Sequence, residues 1–114
     1  MSRNFAIDPQ LLSSLVAVES SFNSIAISSS GAIGLGQLKP STAQWLGVSD
    51  PFNPRQNLYG TAKYLRFLLG KYNGNVDLAL AAYYKGQGTI DRKGVDSDAR
   101  YYIGKVNQKL AQFN

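Results

Sequence analysis

The sequence predicts an all-α fold: a small helical domain of about five to seven helices with little or no β-sheet. Three observations carry this reading. Apolar residues recur three and four positions apart in several windows, the spacing of a buried helical face. Pro, Asp, Asn and Gly punctuate those windows where helices start and stop. No run of strand length alternates apolar with polar side chains.

The first helix starts at Asp8-Pro9, with Asp8 as cap and Pro9 at the first helical position, where its missing N–H is no loss. It is expected to run to about Phe22, with Leu12, Leu15, Val16 and Phe22 facing inward. Residues 23–38 are rich in Ser and Gly yet carry Ile25, Ile27, Ile33 and Leu35, which predicts an ordered irregular loop rather than a disordered linker. Pro40 opens a short helix closed by Gly47, and Asp50-Pro51-Phe52-Asn53-Pro54 turns into a long one. Leu58, Ala62, Leu65, Leu69 and Tyr72 form the expected inner stripe of that helix, which Asn73-Gly74 ends. A helix over residues 76–84 is apolar on nearly every side and so belongs at the centre. A loop is expected at Gly86-Gln87-Gly88. The last helix begins near Asp98 and turns Tyr102, Val106, Leu110 and Phe113 inward. The 114 residues suit one domain, with no repeat or second unit in the pattern.

Composition excludes several chemistries. The chain has no Cys and no His, so a thiolate nucleophile, a Ser-His-Asp triad, an HExxH zinc site and a cysteine-ligated metal are all ruled out within it. The acidic residues lack Ca²⁺-loop spacing, and neither metal nor cofactor is implied. Acid–base work falls to Asp, Glu, Lys or Tyr. Twelve Lys and Arg against seven acids give a net charge of +5, which suits a polyanionic partner such as nucleic acid or bacterial wall polymer, or serves solubility alone. The basic residues form no block, and no recognition-helix cluster, P-loop lysine or RNP-like motif is present, so nucleic acid is not the expected partner. The longest apolar stretch, residues 78–84, is too short for a membrane span, and MSRNFAIDPQ lacks a signal-peptide core.

Six of the seven acids are Asp; the one Glu is Glu19, and it lies on the apolar stripe of the first helix. An ionised carboxylate there is unfavourable unless it is paired, kept neutral or set in the wall of a cleft. A rotated helix or a buried ion pair would explain it structurally. A glycosidase acid, its pKa raised by apolar surroundings toward working pH, would explain it functionally. The pattern of this helix leaves both open.

The segments around Glu19, taken together, resemble the soluble lytic transglycosylase domain, a relative of goose-type lysozyme. Ile7-Asp8-Pro9 with Leu11-Leu12 is followed by Ala17-Val18-Glu19-Ser20-Ser21-Phe22-Asn23, then by Gly31-Ala32-Ile33-Gly34-Leu35-Gly36-Gln37-Leu38 leading to Pro40 and Thr42-Ala43. Asp50-Pro51-Phe52-Asn53-Pro54, the helix over residues 57–65, and Leu78-Ala79-Leu80-Ala81-Ala82-Tyr83 before Gly86 and Gly88 continue the match, and Tyr102 closes it. A Glu-Ser pair alone would be weak; four blocks in the right order over nearly the whole chain are specific.

The resemblance implies a lysozyme-like fold with a substrate cleft and a cut between N-acetylmuramic acid and N-acetylglucosamine of peptidoglycan. Glu19 would protonate the glycosidic oxygen. The substrate's acetamido group would support the developing cation, and the glutamate would then accept the muramic acid C6 hydroxyl proton as a 1,6-anhydro ring closes. The same carry-over places Ser20 near the acetamido region, Gln37 at the scissile site, Tyr83 along the cleft and Tyr102 beside the glutamate. Bland readings stand beside these: a back-bonded serine, a loop amide tying its own backbone, and core tyrosines.

Three positions depart from the family pattern. Tyr84 replaces the substrate-contacting asparagine that follows Ala-Tyr, which puts that role in doubt. Gly36 stands where methionine is common, and Asp98 where a glutamate is frequent. Asp98 would be left to orient water or a sugar hydroxyl. Rival readings are a hydrolytic muramidase with Asp98, Asp96 or Asp50 as second carboxylate, and a catalytically weak wall-binding domain. The expected setting is the periplasm, the cell wall or a phage particle, as a free enzyme or as part of a larger secretion, conjugation or phage assembly.

Overall fold

A computed structural model describes residues 6–113. Six helices follow one another among the described residues: α1 (Pro9–Ser20), α2 (Pro40–Leu46), α3 (Pro54–Lys71), α4 (Val76–Lys85), α5 (Gln87–Lys93) and α6 (Ser97–Ala111). No strand forms among them; Ile27, Ile33 and Leu38 make only isolated antiparallel bridges.

The starts follow the local chemistry. The Asp8 carboxylate accepts from the Gln10 N–H, Asn53 from Gln56, Asn75 from Leu78 and Asp96 from Ala99, each satisfying an N–H left free in a first turn. Gly47 closes α2 at φ 82°, a conformation that is open to glycine without steric cost.

Four details differ from the sequence expectation. Helix α1 stops at Ser20, two residues early, because Ser21 and Phe22 both turn left-handed, at φ 53° and 63°. Phe22 therefore swings off the inner stripe and is 61% exposed, and Ile25 and Ile27 of the ordered loop also face outward. The Gly86-Gln87-Gly88 stretch is no loop beyond Gly86. Helix α5 forms there because Ile90 is buried in the core and Asp91 is held by both the Lys71 ammonium and the Tyr72 hydroxyl of α3, at 2.6 and 2.9 Å. These long-range ties stabilise a short segment that its own sequence would not. Helix α3 is rolled from its expected stripe: Asn57, Gly60 and Thr61 are buried with Ala62, Leu65 and Leu68, while Leu58, Leu69 and Tyr72 are only partly covered. At the far end Tyr102 and Val106 point inward as the periodicity requires, but Phe113 lies beyond α6 and is exposed.

The core centres on α4, whose Ala79, Leu80, Ala81 and Ala82 have no exposed surface. Its small side chains let α3, α5 and α6 close around it, while α1 packs along α6 and α2 against α3. One element is thus wrapped by the others, and the α1–α6 contact carries Glu19 and Tyr102 to each other. No helix among the described residues is long and apolar enough to cross a membrane.

Candidate active site

Glu19 sits in the last turn of α1 and is half-buried. The Tyr102 hydroxyl of α6 donates to Glu19 Oε2 at 2.6 Å. Burial pushes the Glu19 carboxyl up from 4.5 to about 7, against the opposing pull of the Tyr102 hydrogen bond and the Lys105 charge. Near neutral pH the group therefore has a proton to give and a carboxylate to recover it. Tyr102 is buried, and both that burial and the adjacent carboxyl hold its hydroxyl well above the usual tyrosine range, so it stays a donor.

A second layer holds the loop that faces this pair. The Ser20 hydroxyl, next to the acid, donates to the Leu35 carbonyl at 2.8 Å. The Tyr83 hydroxyl of α4 donates to the Gly36 carbonyl at 2.6 Å, and burial followed by the Glu19 charge pushes its pKa well up. Behind them stands Asn57, 1% exposed, which accepts from the Gly36 N–H at 2.8 Å and donates to the carbonyls of Ile33 and Pro51 at 2.9 and 2.8 Å. Thr61 adds a hydroxyl against the Asn57 side chain. Ser20, Tyr83 and Asn57 thus partner the Leu35 carbonyl, the Gly36 carbonyl and the Gly36 N–H, tying this loop to the residue next to Glu19. The resemblance included Asn57 but assigned it no role; two uncharged polar residues four apart, Asn57 and Thr61, beside the apolar stripe of α3 were the signal available.

The structure brings together Glu19, Ser20, Tyr83, Tyr84 and Tyr102. Tyr84 stacks on Tyr102 with ring centroids 4.6 Å apart and planes 7° from parallel, covering the tyrosine that holds the acid. The Lys85 ammonium lies 5.4 Å above the Tyr84 ring and reaches Asp96 and Asp98 at 3.4 and 3.5 Å. Asp98 is therefore outside the cluster, paired with Lys85 on the surface. Gln37, at φ 53°, turns its amide N–H groups back on the Gly34 and Ala26 carbonyls at 3.0 and 3.3 Å. The loop-tying reading of Gln37 describes this geometry, and its side-chain oxygen is left to accept.

The six aspartates are all engaged elsewhere. Asp8 and Asp96 cap helices, Asp50 accepts from the Phe52 N–H in its turn, Asp77 meets Asn107, Asp91 joins Lys71 and Tyr72, and Asp98 meets Lys85. A groove of about 300 Å³ between α1 and the end of α6, lined by Phe22, Lys109 and Phe113 among others, has no carboxyl among its described lining residues. The described residues hold no group of three or more candidate metal ligands.

A helical domain wrapped on a buried central helix, with a carboxyl at its α1–α6 seam, agrees with the lysozyme-like fold that the sequence resemblance implied. Comparison with known proteins makes this specific. The Transglycosylase SLT domain profile matches residues 1–103, and the chain belongs to that family. It is 39% identical to a protein named Transglycosylase from Enterobacteria phage PRD1, over 96% of this chain and 40% of that protein. It is 35% identical to an endo-type membrane-bound lytic murein transglycosylase A of Klebsiella pneumoniae (strain 342), over 90% of this chain and 59% of that one. An inactive glutamate-to-glutamine mutant of the lytic transglycosylase Slt from Pseudomonas aeruginosa superposes with a TM-score of 0.90 at 25% identity, covering 98% of this chain and 22% of that one. The chain spans between 22% and 59% of the length of these relatives.

Proposed function

We propose that this chain is a single catalytic domain, a peptidoglycan lytic transglycosylase in which Glu19 is first acid and then base. The observation that carries the reading is the Glu19 carboxyl, raised to about 7 by burial and held by Tyr102 at 2.6 Å, in a chain whose six other carboxylates are committed elsewhere. One carboxyl suffices for a substrate-assisted cut without a water nucleophile. The Glu19 proton passes to the glycosidic oxygen and the C1–O bond breaks, with the substrate's acetamido oxygen supporting C1. The C6 hydroxyl oxygen then bonds to C1 as its proton returns to Glu19, so the acid is regenerated and no water is consumed. In the Pseudomonas relative a glutamate-to-glutamine change accompanies inactivity, and Glu19 is the only glutamate here that can play that part.

Ser20, Gln37, Tyr83, Tyr84 and Tyr102 are the proposed substrate-facing wall, with Asp98 at its margin. The Gln37 side-chain oxygen and the exposed Tyr84 ring are the groups still open to a sugar. The basic net charge suits an anionic wall polymer. The proposed site of action is the bacterial wall, reached from the periplasm, from outside or from a phage particle, as a free enzyme or as part of a larger secretion, conjugation or phage assembly.

The test is product analysis by mass spectrometry on purified peptidoglycan. Wild type is expected to leave 1,6-anhydromuramic ends, and Glu19→Gln to lose about 1000-fold in rate, within the span of general acid–base catalysis. Reducing muramic ends would make the domain a hydrolase. Equal clearing of wall suspensions by both proteins would remove Glu19 from the reaction.

A further inference from the structure

Tyr84 and Lys85 end α4, and together they grip the first turns of α6. The Tyr84 ring lies flat on that of Tyr102, 4.6 Å between centroids and 7° from parallel. The Lys85 ammonium lies 5.4 Å above the Tyr84 ring and reaches the carboxylates of Asp96, the cap of α6, and of Asp98 in its first turn. Asp98 and Tyr102 are four positions apart and so neighbours on one face of the helix, where both grips fall. Tyr84 is 47% exposed, so burial alone does not fix its ring; the stack and the ammonium do. The stack is the stronger of the two restraints, because ion pairs between exposed side chains contribute little in water. The asparagine that the family pattern has at this position carries no ring to lay on Tyr102.

We infer that Tyr84 is a positioning residue of the candidate active site: its ring, stacked on Tyr102, fixes the place from which the Tyr102 hydroxyl meets Glu19. The inference rests on the reading that Glu19 carries the proton of the reaction. A hydrogen bond weakens steeply as its angle departs from the optimum, and the 2.6 Å bond from Tyr102 to Glu19 has to span two helices. A tyrosine hydroxyl shifts sideways when the whole ring swings about the Cα–Cβ bond, and a parallel ring on its face opposes that swing. From the surface to the acid the contacts therefore run Lys85, Tyr84, Tyr102, Glu19. The other ionisable groups that act on Glu19 have holds of their own. Lys105 of α6 lies 5.0 Å over the Tyr101 ring, and Tyr83 of α4 is tied to the Gly36 carbonyl.

Because Glu19 is the only glutamate, carbon-13 labelling of glutamate side-chain carboxyls gives one titrating glutamate signal. Its midpoint reads the proton affinity of the acid whether or not the protein cuts its substrate. The Tyr102 hydrogen bond pulls that midpoint down from where burial would leave it. Tyr84→Leu, which keeps apolar cover but removes the flat face, should therefore move it up by roughly a few tenths in pH, less than Tyr102→Phe does. Tyr84→Phe, which restores the ring, should restore the midpoint. On the Tyr102→Phe background Tyr84→Leu should add nothing, since no hydroxyl is left to place. On wall suspensions Tyr84→Leu should lower the maximal rate about threefold to tenfold, the weight of one aromatic pair, with the half-saturating wall concentration kept. Circular dichroism checks each fold, and Tyr84→Ala replaces Tyr84→Leu if the latter does not fold. A midpoint that stays or moves down, or that moves equally on both backgrounds, overturns the positioning role. So does a raised half-saturating concentration at unchanged maximal rate, which would make Tyr84 a sugar contact only. Equal clearing of walls by wild type and Glu19→Gln removes the proposed reaction instead, and the midpoints then still decide the positioning.

Discussion

The Tyr102 hydroxyl holds Glu19 Oε2 at 2.6 Å across the seam between α6 and α1, residues 83 positions apart. This bond favours the carboxylate, while burial favours the acid, and burial wins: the group settles near 7 rather than at 4.5. The carboxyl is thus poised between its two proposed roles by two opposing contacts, with Tyr84 stacked over the tyrosine that supplies one of them.

Removing the weaker contact should move the pH profile in a defined direction. Tyr102→Phe takes away a hydrogen bond that lowers the Glu19 pKa, so the alkaline limb of the rate, where the proton is lost, should move up by about 0.5 to 1 in pH. Lys105→Met removes a charge acting in the same sense and should move it the same way by less. Rates on wall suspensions between pH 5 and 9 check this; a downward move would mean that the hydrogen bond holds the acid form.

The same burial makes Glu19 unfavourable for stability. A folded-state pKa above the unfolded one means that the native state binds the extra proton between pH 4.5 and 7, so stability falls as pH rises through that window. Above it the penalty is about 3 kcal/mol. Glu19→Gln keeps shape and hydrogen bond without the charge, so it should raise the melting temperature at pH 8 and leave it nearly unchanged at pH 4. Equal effects at both values would contradict the shift.

Asn57 should be among the least replaceable polar residues. Asn57→Leu keeps the volume but strips the partners from the Gly36 N–H and the Pro51 carbonyl, while the Ile33 carbonyl keeps the Leu38 N–H. At roughly 1 to 3 kcal/mol per buried orphaned group, the loss should be about 2 to 6 kcal/mol in urea unfolding. Increased amide exchange at Gly36 in any variant that still folds would place the damage in the loop facing Glu19.

Gly36 and Thr61 should behave as a coupled pair. A Cβ at Gly36 would run into the Thr61 side chain, so Gly36→Met, which introduces the residue common in the family, should destabilise by several kcal/mol alone. Thr61→Gly opens that space at a few tenths of a kcal/mol of helix propensity, together with the contacts of a fully buried side chain. The double variant should therefore be more stable than Gly36→Met by itself, with a coupling of about 1 to 3 kcal/mol. Additive losses in a double-mutant cycle would show that the loop moves aside instead.

Much of this molecule follows from local order. Asp8-Pro9, Asn53-Pro54 and Asn75 start helices because a cap needs only a side chain two or three residues from the N–H it serves. The apolar stretch of α4 could only be central, and Glu19 stood out because a lone carboxyl on an apolar stripe is anomalous in any helix. Helix α5 was illegible because its ties to Lys71 and Tyr72 lie 16 to 20 positions away, and the roll of α3 because nothing near Asn57 in sequence shows that the backbone of residues 33–36 will supply its partners. Sequence by itself therefore determined five of the six helices, the central element and which carboxyl to suspect. Only the tertiary structure decided the charge state of that carboxyl and which side chains surround it, since desolvation and the reach of a hydroxyl depend on what packs across a seam, not on what is adjacent in the chain.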